Sequence, residues 1–270
     1  MMELVIGSTT RPLNALSFAE ACEHIASAGY TDVAVFAHDG VIPVNNESSA
    51  AQIAAAKKAA TQAGVNPSML LGRALLEHGV DGAADAYKQL LDNAAELGAK
   101  WILELGTGKK EYYGIYPEVM RRAAEHADTL DLGISLKPHG GISLTAKELI
   151  DLYHQVNHPA FAVSYDPGNI IHYTRGEVRP EQEVDDIAKY TSTAIVKDCA
   201  LDSENNPNVQ TTAGDGEVDF HRILSGLIGG GFTGPLYVEC VGSKTPEGID
   251  RDLAFTLGYI RGILSSTGCC

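Results

Sequence analysis

Short apolar runs alternate with longer segments of helical periodicity from one end of the chain to the other. Leu4-Val5-Ile6 leads to Ser17-Phe18-Ala19-Glu20-Ala21, an N-cap with a helical pattern behind it, which Gly29 closes before Asp32-Val33-Ala34-Val35-Phe36. Ala51-Gln52-Ile53-Ala54-Ala55-Ala56-Lys57-Lys58 is rich in helix formers, stops at Gly64 and gives way to Ser68-Met69-Leu70-Leu71. Further strands are predicted at Trp101 to Leu105, Ile134 to Pro138, Phe161 to Asp166, Thr193 to Lys197 and Leu236 to Glu239, with helices starting near Tyr116 and Ala146 between them. Eight strands, each followed by a helix, predict a single (β/α)8 TIM barrel over residues 1–270, close to the ~250 residues typical of that fold. A doubly wound open sheet is the alternative, but it would leave the polar strand ends without a common centre.

Those strand ends carry the candidate chemistry, because the active site of an α/β barrel lies at the carboxyl ends of its strands. His38 follows the second strand and Arg73 the third; Glu104 ends the fourth, Lys137 and His139 the fifth, Asp166 and Asn169 the sixth, Lys197 and Asp198 the seventh, and Glu239 the eighth. Residues two apart share a face of a strand, which pairs Lys137 with Ser135 and His139, Asp166 with Ser164, Lys197 with Ile195, and Glu239 with Tyr237. With these facing the barrel axis, two lysines, a histidine, an aspartate and a glutamate converge on one cavity. Asp198 then faces outward, where a cap or an ion pair is expected. Gly106-Thr107-Gly108 and Gly214-Asp215-Gly216 read either as tight turns or as backbone N–H groups offered to an anion. The other histidines, His24, His78, His126, His154, His158, His172 and His221, fall on helices or loops and are expected to be solvated.

Charge and cysteine content narrow the classes further. A net charge of −15 opposes binding to nucleic acid or an anionic membrane, since phosphates are repelled at long range. No run of about 18 apolar residues is present, and Met1-Met2-Glu3-Leu4-Val5-Ile6-Gly7 lacks the basic start of a secretory signal, so a soluble cytoplasmic protein is expected. Cys22, Cys199 and Cys240 stand singly in periodic segments and read as small buried hydrophobes; Cys269 and Cys270, at the end of the chain, read as exposed and incidental.

Asp166-Pro167-Gly168-Asn169, Val196-Lys197-Asp198, Gly214 to Phe220 and Gly231 to Glu239 together resemble the successive signatures of the xylose isomerase-like barrels. That group spans sugar and sugar-phosphate isomerases and epimerases, inosose-processing enzymes and type IV apurinic endonucleases. The resemblance runs through the chain and is densest from residue 134 onward. It implies a divalent metal, Mn²⁺, Mg²⁺ or Co²⁺, held by a Glu on the fifth strand, an Asp on the sixth, a His on the seventh and a Glu on the eighth. Asp166 and Glu239 match two of these positions. Lys137 stands where the first glutamate belongs and Ile195 where the histidine belongs, so a metal would need His139, Glu104 or substrate oxygens to complete its sphere. A further departure, on the second strand, is Gly29-Tyr30-Thr31-Asp32-Val33-Ala34, where the family often shows Gly-Phe-Asp-Gly-Val-Glu.

The leading functional expectation is an isomerase or epimerase of a small sugar-like polyhydroxy carbonyl compound, working by enediolate proton transfer. Glu239 is the first acid/base group and His139 or Glu104 the second. Asp166, Glu239 and His139 are the candidate metal ligands; Lys137 and Lys197 steady negative charge, or Lys137 instead forms an internal ion pair with Asp166 or Glu239. His38, Arg73, Asn169 and Lys197 are candidate substrate contacts. One rival is a lyase using Lys137 as a Schiff-base amine. Another is a non-catalytic sugar-binding barrel or a subunit of a larger enzyme. A phosphorylated substrate has weak support, as only Arg73, Lys137 and Lys197 offer charge in the mouth. The resemblance also implies a homodimer.

Overall fold

In the computed structural model, which describes residues 4–267, Ile6–Thr9 (β1) pairs on one side with Asp32–Val35 (β2) and on the other with the closing strand Leu236–Val238. Asn66–Leu71 (β3), Trp101–Glu104 (β4), Gly133–Leu136 (β5), Phe161–Tyr165 (β6) and Thr191–Val196 (β7) complete a closed ring of parallel strands. The chain is a (β/α)8 barrel, and the open-sheet alternative is excluded by the pairing of β1 with the closing strand.

Strand alternation divides the core in two. Ile134, Leu136, Val163, Tyr165, Val196, Leu236 and Val238 belong to the apolar layer between sheet and helices, while Ala34, Phe36, Met69, Leu103, Ile195 and Tyr237 fill the barrel itself. Burial on both faces explains why the strands read as continuous apolar runs.

The helices start where their caps dictate. Ser17 and Glu20 form a reciprocal capping box at the start of α1 (Phe18–Ser27), Ser49 and Gln52 do the same for α2 (Ala50–Ala63), and Gly64 ends α2 in the left-handed conformation. The outer layer continues through α3 (Gly79–Leu97), α4 (Tyr116–Thr129) and α5 (Ala146–Val156).

Three expectations about elements change. The first strand is Ile6–Thr9 rather than Leu4-Val5-Ile6, because Ser8 Oγ and Thr9 Oγ1 donate to the carbonyls of Val238 and Glu239, which satisfies two polar side chains inside the barrel. β6 is followed by two helices, α6 (Pro167–Thr174) and α7 (Pro180–Ile187). β7 is followed by an excursion containing a two-residue antiparallel ribbon, Ala200–Leu201 with Pro207–Asn208, before α8 (Phe220–Gly229). The final helix is α9 (Pro246–Ser266). Cys22, Cys199 and Cys240 are buried, as expected, whereas Met1 to Glu3, Cys269 and Cys270 lie outside the described residues. Among the described residues no helix is long and apolar enough to cross a membrane.

Candidate functional site

Four side chains at the ends of β5, β6, β7 and the closing strand meet inside the barrel mouth, each at most 1% exposed: Lys137, Asp166, Lys197 and Glu239. Lys137 Nζ donates to Asp166 Oδ2 at 3.1 Å and to Glu239 Oε2 at 2.5 Å. Lys197 Nζ reaches Asp166 Oδ2 at 3.3 Å and Glu239 Oε1 at 2.5 Å. Both lysines therefore bridge both carboxylates. Strand parity anticipated that the four side chains converge, since Ser135, Ser164, Ile195 and Tyr237, two residues earlier, share the inward face, but not how their charges pair.

The backbone around the cluster is built to hold it. Asp166 caps α6, its Oδ1 accepting from Asn169 N–H at 3.0 Å, which leaves Oδ2 for the lysines. Gly168 lets α6 press against the end of β7, for a Cβ there would lie 2.5 Å from the Lys197 carbonyl oxygen. That approach brings Asn169 Oδ1 to 3.0 Å from Lys197 Nζ, while Asn169 Nδ2 donates to the Pro138 carbonyl at 2.7 Å. Asn169 thus spends its amide on positioning Lys197 and the β5 end.

A fifth member was not anticipated. Arg11, just past β1, donates to Glu239 Oε1 at 2.5 Å and remains partly open to solvent. Three cations then face two carboxylates, leaving one positive charge in excess. Burial alone would raise the Glu239 carboxyl, but Lys137, Lys197 and Arg11 override it and hold it well below its ordinary range. Burial would likewise lower the Lys197 ammonium, and the attraction of Asp166 and Glu239 reverses this and raises it above its ordinary value. Arg11 carried no signal in the sequence because it falls in a three-residue 3₁₀ turn rather than at a strand end.

The remaining predicted residues lie around this centre or away from it. His139 stands exposed in the mouth with its ring 5.3 Å from that of Tyr173; partial enclosure, followed by the charges of Lys137 and Lys197, lowers it to about 4, so it is uncharged at neutral pH. Arg73 is exposed and reaches Glu77 at 3.6 Å, bordering a second cavity of about 370 Å³ together with Glu104 and His139. His38 turns its Nδ1 to the Leu16 carbonyl at 2.8 Å and leaves Nε2 buried and unpartnered, apart from the cluster. His172, expected to be solvated, is half-buried, with Nδ1 unpartnered and its ring 4.9 Å from Tyr173. Asp198 does face outward, and accepts from the N–H groups of Cys199, Gly214, Gly216 and Val218. The Gly214 and Gly216 N–H groups are thereby occupied, so this turn offers neither of them to a ligand.

Glu104 does not join the cluster. It shares the outward face of β4 with Ile102, and its Oε2 accepts from the Tyr87 hydroxyl of α3 at 2.9 Å while Oε1 accepts from Gly106 N–H at 3.1 Å. Burial pushes its carboxyl up to about 7 despite these hydrogen bonds. A carboxyl raised on folding is bound to a proton in the native chain but not in the unfolded one between about pH 4.5 and 7. Its contribution to stability is therefore full below that window and lost as pH rises through 7, about 3 kcal/mol at ~1.4 kcal/mol per unit. Glu104→Gln is expected to flatten the fall in melting temperature across that window, as read by calorimetry in a pH series; an unchanged slope would assign the titration elsewhere.

The residues do not fit the divalent metal that the family resemblance implied. Asp166 Oδ2 and both Glu239 oxygens are taken by ammonium or guanidinium groups, Ile195 is part of the apolar barrel interior, and His139 does not complete a set with them. Among the described residues no group of three or more His, Cys, Asp or Glu side chains could hold a metal ion. Lys137 and Lys197 place two ammonium groups between those carboxylates.

The profile of the xylose isomerase-like TIM barrel family matches residues 22–258. No curated protein matches the chain. A xylose isomerase domain protein from Planctomyces limnophilus superposes with a TM-score of 0.78 at 19% identity, covering 100% of both chains. A xylose isomerase-like TIM barrel protein from Mycobacterium smegmatis in complex with magnesium gives 0.77 at 17% identity over 99% of this chain and 98% of that one. The 3-keto-D-glucoside 4-epimerase of E. coli, in its apo form, gives 0.70 at 14% identity over 96% and 100%.

Proposed function

The chain belongs to the xylose isomerase-like TIM barrel family, and from that premise we propose that it is an isomerase or epimerase of a small polyhydroxylated carbonyl compound, a ketose, an inosose or a close relative. The observation that carries this reading is the convergence of Lys137, Lys197 and Arg11 on Glu239 in the barrel mouth. Removing a proton beside a carbonyl creates an enediolate, and its negative charge must be met by groups already in place. Lys137 and Lys197 are those groups, Asp166 holds them in position, and Glu239 is the proton acceptor. His139, uncharged at neutral pH, is the second proton carrier. The likeness to a 3-keto-D-glucoside 4-epimerase supports the same class.

Contact with three cations makes Glu239 a weak base in the free protein. A substrate whose carbonyl and hydroxyl oxygens draw the ammonium groups onto themselves loosens those contacts, and Glu239 gains basicity as its counter-charge moves to the substrate. Proton abstraction thus awaits a ligand that can exchange for the internal pairs. The Schiff-base lyase has no comparable support, since Lys137 Nζ is engaged by two carboxylates at once. A sugar-binding barrel without turnover is the second reading, favoured by the complete internal pairing of the two buried lysines. Incubation with a panel of ketoses and inososes in D₂O separates the two: loss of the C–H proton next to the carbonyl, followed by NMR, supports the isomerase, and tight binding of a panel member with no exchange of any supports the binder.

Positive charge from lysine rather than metal has its own consequence. Turnover is expected to be unchanged by prolonged exposure to a chelator, and protein purified without chelator is expected to carry far less than one equivalent of Mn, Mg or Co by elemental analysis. Stoichiometric metal lost together with activity would overturn the assignment of Lys137 and Lys197.

A further inference from the structure

Beside the buried network lies a cavity of about 350 Å³, lined by Arg11, Asn14, Gln210, Glu239, Ser243 and Lys244 among others. Its volume is in the ~300–1,000 Å³ range of small-molecule sites. Glu239 is the one carboxylate among its described lining residues, and both its oxygens are already held by Lys137, Lys197 and Arg11. The cavity's effective charge is therefore set by Arg11 and Lys244. Pro246, the first residue of α9, lines the same wall. The second cavity differs, because its lining sets the carboxyl side chains of Glu77 and Glu104 beside Arg73 and Lys109.

We infer that the cavity beside Arg11 receives an anionic group of the substrate, a carboxylate or a phosphate, which places the substrate among sugar acids or sugar phosphates rather than neutral sugars. Arg11 donates through one terminal nitrogen to Glu239 and has the rest of its guanidinium for an incoming oxyanion. Lys244 is an exposed cation on the same lining, and Gln210 and Ser243 supply neutral polar groups. A chain of net charge −15 repels anions at a distance, so binding one requires a local excess of positive charge within about a Debye length, ~8 Å. The network and Lys244 provide it. The anion anchors one end of the molecule at Arg11 and leaves the carbonyl end to Lys137 and Lys197.

This inference deepens the proton-transfer reading and rests on it only for what happens at carbon, so the test reads binding apart from turnover. The full chain is titrated calorimetrically at low ionic strength with two matched pairs, D-glucuronate against D-glucose and D-ribose 5-phosphate against D-ribose. At least one charged member is expected to bind tenfold or more tightly than its neutral twin. A preference in the first pair identifies a carboxylate and in the second a phosphate. Lys244→Gln, which lies outside the buried network, is expected to cut that preference about fivefold with the neutral twin unaffected, and Arg11→Gln to abolish the preference. Equal affinities within both pairs, or a preference that survives both replacements, overturn the anion site. Solvent exchange at carbon that persists while the charge preference is absent leaves the isomerase reading standing alone; a charge preference without exchange does the reverse.

Discussion

Lys137→Met is expected to destabilise the protein by roughly 3–5 kcal/mol at neutral pH, the range for breaking a buried ion pair from one side. Methionine matches the length of the lysine stem but leaves Asp166 Oδ2 and Glu239 Oε2 facing a thioether in a site that excludes water. The loss has a pH signature. Glu239 is held well below its ordinary range, so its contribution is present above its unfolded value, ~4.3, and disappears as pH falls through the lowered one. Removing Lys137 raises the Glu239 carboxyl, and the gap between wild type and variant is expected to be widest above about pH 5 and to close in acid. Denaturant midpoints measured from pH 3 to pH 8 check this; a loss below 1 kcal/mol at pH 7, or one independent of pH, would mean that Lys137 does not hold the two carboxylates together.

Glu239→Gln bears on chemistry rather than on the network alone. The amide keeps the shape of the side chain but cannot accept a proton in the working range, so turnover of any ketose, inosose or charged relative that the wild type converts is expected to drop by about 10²–10⁴, the usual contribution of a positioned acid/base group. The variant also leaves Lys137, Lys197 and Arg11 against Asp166 only, which tightens the hold on anions. Substrate affinity is therefore expected to be kept or to rise while the first-order rate falls, and circular dichroism confirms that the barrel is intact. Undiminished proton exchange at carbon in Glu239→Gln would remove the residue from its assigned role.

Much of the site was legible before the fold was known. Lys137, Asp166, Lys197 and Glu239 each close an apolar strand, and the two-residue repeat of a strand sends them to the face that Ser135, Ser164, Ile195 and Tyr237 share. The same repeat, applied to Glu104 and Ile102, sends Glu104 to the helix layer, where Tyr87 meets it. Its place at a strand end alone had suggested the mouth. Arg11 and Lys244 escaped notice because nothing periodic surrounds them: one sits in a short turn after β1 and the other in the loop before α9. Their meeting at one cavity depends on closure of the barrel between β1 and the strand Leu236–Val238. Asn169 shows the opposite case, a polar residue at a strand end whose amide is consumed by Pro138 and Lys197.

By itself the chain determined the barrel, its strand ends and the inward face of each strand, because these follow from local periodicity and the burial of apolar side chains on both sides of the sheet. Only the tertiary structure decided how the charges pair. Whether Lys137 stands alone, opposes a metal or bridges two carboxylates depends on distances between strands up to 102 residues apart in sequence, and a buried charge takes its meaning from the nearest opposite charge.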